Sequence, residues 1–253
     1  MWKLKNILCA VYVCAYVLLQ ALISVTHAGS FGVTPTGISL DILNNKSIIA
    51  VNNHGHQKAI IQAEVFSWIQ SDGQNQYMPT QEVWVEPKLL TIFPGKSQYI
   101  RVGTTQREPI TQEKAYRLLL TELPSAITEP SDIENQPQHI NVLLRLNLPV
   151  YITPITQIRL QQWQAQHNNN GTISIKMKNV GNSHILINEI SILADTEYVM
   201  NKTYKVVQPH QSQTWEITQQ PNISEDSIKI KVKTDIGEQN LLLKISPDHL
   251  KKN

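Results

Sequence analysis

The stretch INVLLRLNLPVYI, Ile140 to Ile152, decides the fold. Ile140, Val142, Leu144, Leu146 and Leu148 fall on one face of an extended chain, and Asn141, Leu143, Arg145, Asn147 and Pro149 fall on the other. Side chains of a strand alternate between two faces, so this is a long strand with one wholly apolar row. Strands in small sheets usually run to about 5–6 residues. The alternation fits two roles equally: a strand of the protein's own core, or a strand whose apolar row is offered to another chain.

Working outward, the segments before it read the same way. FGVTPTGISLDI, KSIIAVNN, KAIIQAEVFSWIQ, PKLLTIFP, SQYIRVGTT and AYRLLLTEL are rich in β-branched or aromatic residues. Turn signals separate them, among them Asn53-His54-Gly55, Asp72-Gly73 and Pro94-Gly95. About seven such runs predict an all-β, immunoglobulin-like sandwich. SAITEPSDIENQPQ, Ser125 to Gln138, is acidic and poor in apolar residues, which predicts a long loop before the opening strand.

After the hinge-like Pro149 and Pro154 come GTISIKMKNV, HILINEISIL, YKVVQP, SQTWEIT, SIKIKVKT and QNLLLKIS. They predict a second sandwich of about 95 residues. The expected division is a signal peptide at 1–28, a first domain at 29–154 and a second at 155–253. Lys3 and Lys5, the apolar run from Ile7 to Ile23, and Thr26 and Ala28 before Gly29 have the layout of a secretory signal. An uncleaved anchor is the competing reading, disfavoured by Gln20 and Ser24.

Cleavage would remove both cysteines, Cys9 and Cys14, so the mature chain would be held by its core and not by disulfides. It would also remove two lysines, leaving 22 − 2 = 20 basic against 20 acidic residues. A neutral chain has no global field for nucleic acid or a membrane surface. After signal cleavage no stable membrane insertion is expected.

No enzyme signature is present: there is no G-x-S-x-G, H-E-x-x-H, P-loop or glycine-rich dinucleotide turn. His54 and His56 flank a glycine and are the one pair with metal-ligand spacing, but no cysteine or nearby carboxylate completes a set. Glu122 and Glu129 have nothing to place them across a cleft. No catalytic residue, metal or cofactor is expected. A secreted structural or adhesive sandwich protein remains the alternative to a binding module.

Taken in order, FGVTPTGISL, AVNNHG, VWVEPKLLTIFPGKSQYIRV, YRLLLTELP, RLNLPVYITP, KNVGNSHILINEI and KTDIGEQ resemble the periplasmic chaperones of the chaperone–usher pathway of pilus assembly in Gram-negative bacteria. The resemblance spans the mature chain. It implies two immunoglobulin-like domains in a boomerang arrangement and a non-enzymatic periplasmic chaperone. Such a chaperone lends a strand to pilus subunits and delivers them to an outer-membrane usher. The lending strand would be the opening stretch, with Ile140, Val142, Leu144 and Leu146 filling the subunit's groove.

Better-known members anchor the subunit's C-terminal carboxylate with an arginine in the first strand and a lysine late in the lending strand. Gly37 stands at the first place and the second falls on or beside Pro149, which resembles the archaic and alternative branches. Arg117 and Arg145 are the candidate replacements, since a guanidinium grips a carboxylate through two parallel bonds. The family's interdomain ion network is matched by Glu122 and Asp235, while Thr153 takes the place of its arginine.

Overall fold

The computed structural model describes residues 31–71, 73–124, 143–168, 172–193, 197–201, 204–217 and 226–246. The proposed signal segment, the expected loop at 125–138, Ile140 and Val142 lie outside these residues. Every regular element among the described residues is a strand.

The first sandwich comprises β1 (Phe31–Thr34), β2 (Ile38–Leu40), β3 (Lys46–Asn53), β4 (Ala59–Ser71), β5 (Gln74–Pro79), β6 (Val83–Glu86), β7 (Leu89–Ile92), β8 (Ser97–Thr104), β9 (Lys114–Leu123) and β10 (Arg145–Ile152). One sheet has the order β1-β3-β8-β6; the other runs β2-β10-β9-β4-β5, with β7 also paired to β4. The opening run FGVTPTGISL, read above as a single strand, divides at Pro35 and contributes to both sheets. Proline has no N–H to donate, so ladder pairing stops there and the chain crosses over.

The two inner faces meet in one core. From β9, Tyr116, Leu118 and Leu120 are at most 1% exposed, and from β3 and β8 come Ile49, Val51, Ile100 and Val102. Each such side chain contributes about 1.5–3 kcal/mol of burial. The opening stretch joins this core through Leu148, Val150 and Ile152, with Leu144 and Leu146 half-buried at its margin.

The second sandwich comprises β11 (Gln161–His167), β12 (Ile173–Asn179), β13 (Ile185–Leu193), β14 (Glu197–Asn201), β15 (Lys205–Val207), β16 (Ser212–Ile217), β17 (Ser227–Thr234) and β18 (Gly237–Ser246). A layer of β11, β12 and β16 faces a layer of β13, β14, β15, β17 and β18, and the short parallel pairing of β11 with β18 joins them. Its separate core is isoleucine-rich: Ile175, Met177, Ile185, Ile230 and Val232 are almost wholly buried.

The strands missed in the sequence are β5, β6, β11 and β14, of which β5 and β11 are polar. QNQYMP of β5 is exposed at every residue, because an edge strand paired only to β4 needs no apolar face. QQWQAQH of β11 buries only Ala165 fully.

Candidate functional site

Along β10 one edge of the first sandwich is only partly paired among the described residues. It pairs with β9 along its whole length, from Arg145↔Thr121 to Ile152↔Lys114. On the other side β2 covers only Val150, Tyr151 and Ile152. Between Arg145 and Pro149 that edge has no strand partner among the described residues.

The ladder fixes which groups the edge presents. Glu122 N–H donates to Leu144 C=O at 2.9 Å, so even-numbered residues turn their backbone toward β9. Thr153 N–H donates to Leu40 C=O at 2.8 Å, which puts the odd-numbered residues on the β2 side. Arg145 and Asn147 therefore hold N–H and C=O groups toward the open edge, and Pro149 a C=O alone. An open row of this kind is a template for a strand from another chain.

Beside this edge lies a partly enclosed cation. The two uncharged anchor positions are in contact: a Cβ at Gly37 would lie 3.3 Å from Pro149 Cγ. Directly across the ladder, Pro149 pairs with Arg117. The Arg117 guanidinium lies 3.7 Å from the centroid of the Trp68 ring, a cation–π contact, and its Nε is buried with no hydrogen-bond partner. Burial pulls this guanidinium below its ordinary value, while the neighbouring Tyr151 and Tyr77 oppose that shift. Burial also pushes the Tyr151 phenol up, against the effect of Arg117, which keeps it neutral. An enclosed, charged guanidinium with an unused donor is suited to an anion, and a carboxylate fits its fork.

Arg145, the second candidate, is exposed and sits opposite Thr121. It shares the outer face with Arg117 but lies four rungs away, about 13 Å. The structure does not bring the two arginines together.

The junction between the sandwiches is built differently from the expectation. Glu122 lies near the far end of β9, where its carboxylate accepts the Leu144 N–H at 3.2 Å. Asp235 belongs to the second sandwich and pairs with Arg159 at 3.0 Å. Glu122 and Asp235 thus form no shared network. The glutamate at the junction is Glu113, nine residues or about 30 Å back along the strand. Its side chain is fully buried and meets His184 Nδ1 at 2.8 Å. Its N–H donates to Asn182 C=O at 2.9 Å. Thr153 is buried, and its hydroxyl donates to Leu40 C=O at 3.2 Å.

A second set of contacts crosses the junction from the β4–β5 hairpin. Gln208 N–H donates to Gln70 Oε1 at 2.9 Å, Gln70 N–H returns a bond to Gln208 Oε1 at 3.2 Å, and Gln208 Nε2 donates to Trp68 C=O at 2.9 Å. Trp68, Ala115 and Tyr151 form a small apolar cluster with Val206 of the second sandwich. Sequence reading missed Trp68, Tyr151, Glu113 and His184. Strand parity was the available signal: Trp68, Arg117 and Tyr151 are large residues on the face of their strands turned away from the core. Among the described residues no group of three or more His, Cys, Asp or Glu is placed to hold a metal.

Two β-sandwiches, a partly open strand edge and a partly enclosed cation at their junction define an all-β, two-domain protein class. A family model described as the pili and flagellar-assembly chaperone, PapD N-terminal domain, matches residues 30–157, just over half of the 253 residues. The chain belongs to this family, which is non-enzymatic and whose chaperone–usher members are periplasmic.

Solved structures agree on the fold. The structure of the CsuC–CsuE chaperone–tip adhesion subunit complex from archaic Csu pili of Acinetobacter baumannii matches with a TM-score of 0.61 at 18% identity, covering 87% of this chain and 100% of that one. The YadV chaperone matches with a TM-score of 0.61 at 14% identity, covering 84% and 99%. The structure of the Salmonella enterica SafA pilin with the SafB chaperone matches with a TM-score of 0.59 at 16% identity, covering 87% and 97%. No curated protein matches. At these identities the likeness is one of fold.

Proposed function

We propose that the chain captures pilus subunits by lending them the strand that runs from Ile140 into β10, and then delivers them to an outer-membrane usher. The observation that carries this reading is the edge from Arg145 to Pro149, which has no strand partner among the described residues. A subunit strand added there would take up the exposed backbone groups, and Ile140, Val142, Leu144 and Leu146 would enter its groove. Arg117 would receive the subunit's C-terminal carboxylate, because Gly37 and Pro149 leave that end of the cleft without a charge of their own. Arg145 is a secondary candidate for the same carboxylate. The domain division at 154/155 is supported by two cores that share no residue. Export through a signal peptide at 1–28 would place the mature chain in the periplasm. Nothing further favours a secreted adhesive role.

The test is capture of a purified pilus subunit by Val142→Glu and Leu144→Glu. Both variants are expected to lose the one-to-one complex, Val142→Glu with the wild-type circular dichroism spectrum and Leu144→Glu, whose leucine packs at the core margin, with a modest loss of stability as well. Unfolding of Val142→Glu on its own would place that side chain in the protein's own core and remove it from the lending row.

A further inference from the structure

Arg117 belongs to the first sandwich, but the groups that hold it continue into the second. Its guanidinium lies on Trp68, and the Trp68 and Tyr151 rings are 6.4 Å apart at 47°. Tyr151 is in turn stacked on His184 of the second sandwich, with centroids 3.9 Å apart and planes within 11°. Two bonds to Glu113 hold that imidazole: Nδ1 lies 2.8 Å and 2.9 Å from the two carboxylate oxygens. The His184 N–H donates to the same carboxylate at 3.2 Å. Gln208 fixes Trp68 from the same side.

We infer that His184 is a positioning residue for the Arg117 anion site: by stacking on Tyr151 it keeps Tyr151 and Trp68 where they hold the guanidinium, so that the site is complete only when the two sandwiches are docked. The ligand class is a carboxylate, and the inference rests on the reading of Arg117 as the carboxylate anchor. Two planar rings at 3.9 Å constrain orientation as well as distance, which an aliphatic side chain of similar size does not do. The second sandwich then does more than brace the first. It tunes a donor that belongs to the other body.

Acetate is a sufficient probe, and the Arg117 Nε–H resonance in a 15N-labelled full-length mature chain is the readout. In the wild type this resonance is expected to shift saturably with acetate and not with acetamide. His184→Leu fills the space without a flat ring, and its acetate affinity should fall at least threefold. His184→Phe restores the ring without the Glu113 bond and should return affinity to near the wild-type value. Equal acetate affinity in the wild type and His184→Leu would overturn the positioning role and leave Arg117 as an anchor. A wild-type resonance indifferent to acetate would overturn the anchor reading and this inference together. Both variants fill the ring's volume, so a shared loss of affinity with unchanged folding would also overturn stacking as the cause.

Discussion

Asn53 in the first sandwich and Asn179 in the second occupy the same place in two copies of one device. Each ends a strand, six residues before the next begins. Asn53 Nδ2 donates to the carbonyls of Gln57 at 2.7 Å and Ile92 at 2.9 Å, and its Oδ1 accepts the Gly55 N–H at 2.8 Å. Asn179 Nδ2 donates to Ser183 at 2.8 Å and Val207 at 3.0 Å, and its Oδ1 accepts the Gly181 N–H at 3.0 Å. Around this common closure the two bodies diverge. The second packs its loop under the linker so closely that a Cβ at Gly181 would lie 2.1 Å from Ile158 O. The first leaves a strand edge open and places a cation beside it. The closure is structural and repeated; an enclosed arginine stacked on a tryptophan beside a partly paired strand is described in the first sandwich.

The comparison breaks most visibly at the asparagines. Asn179→Ala strands two buried carbonyls and an amide, and Asn53→Ala the buried Ile92 carbonyl with two part-buried groups, at about 1–3 kcal/mol for each buried group left unpaired. Asn179→Ala should destabilise by on the order of 4 kcal/mol in urea unfolding and Asn53→Ala by less, each in its own sandwich. A cost under about 1 kcal/mol for either would show that the two loops are alike in shape and not in energy.

The arginines come next, and they separate within the first sandwich. Arg117→Ala should weaken subunit binding by on the order of 3 kcal/mol, as expected for a desolvated charge pair. Exposed Arg145 should cost under about 1 kcal/mol when changed to alanine. With the two side chains four rungs apart, the double variant should be close to additive. Strong coupling would mean that both grip one carboxylate. Calorimetric titration of a purified subunit into all three variants decides this.

How much of this was legible in the sequence depended on what each residue faces. Alternating rows such as Ile173, Ile175 and Met177 announce themselves because burial enforces period 2. Gln74–Pro79 buries nothing and left no such trace. Arg117 was legible only because a resemblance drew attention to the missing charges at Gly37 and Pro149. Its neighbours were not: Trp68, Tyr151 and His184 are far apart in sequence, and while pairing register brings Trp68 and Tyr151 to Arg117, contact between the sandwiches brings His184. Glu122 misled for the opposite reason. It stands in a familiar string, TELP, yet sits at the wrong end of its strand for the junction.

A smaller difference lies in the turns that receive the asparagine N–H groups. Asn53 N–H donates to Lys96 C=O and Asn179 N–H to Gln211 C=O. The residue before each acceptor is left-handed, Gly95 with φ 65° and His210 with φ 63°. Pro94-Gly95 and Pro209-His210 are therefore the same turn, with a side chain tolerated in the second. A left-handed non-glycine residue costs about 1–2 kcal/mol. Part of that is offset by glycine's larger entropy loss on folding. His210→Gly should stabilise the second sandwich by about 0.5–1 kcal/mol, and Gly95→Ala should destabilise the first by about 1 kcal/mol, both in urea unfolding. Destabilisation by His210→Gly would reveal a role for the imidazole in the fold.

The smallest effect is the response of the first sandwich to acid. In the first, Lys114 Nζ lies 2.6 Å from Glu82 Oε1 and the Tyr116 hydroxyl donates to Oε2. These bonds, Lys114 first, hold the Glu82 carboxyl below its ordinary value. Asp41, which accepts the backbone N–H groups of Asn44 and Leu43 in the turn after β2, is lowered too, chiefly by the bond from Asn44. A carboxyl depressed in the folded chain stabilises it above the ordinary carboxylate range, and that contribution is lost as pH falls toward the folded value. The first sandwich should therefore lose stability on acidification between about pH 5 and pH 3. Glu82 is half-exposed, so solvent and salt screen its pairing and its share should stay under about 1 kcal/mol. Glu82→Gln should flatten the acid limb of urea stability, and 0.5 M salt should flatten it in the wild type at a Debye length of about 4 Å. An unchanged slope in Glu82→Gln would move the acid sensitivity of the first sandwich to Asp41 or elsewhere.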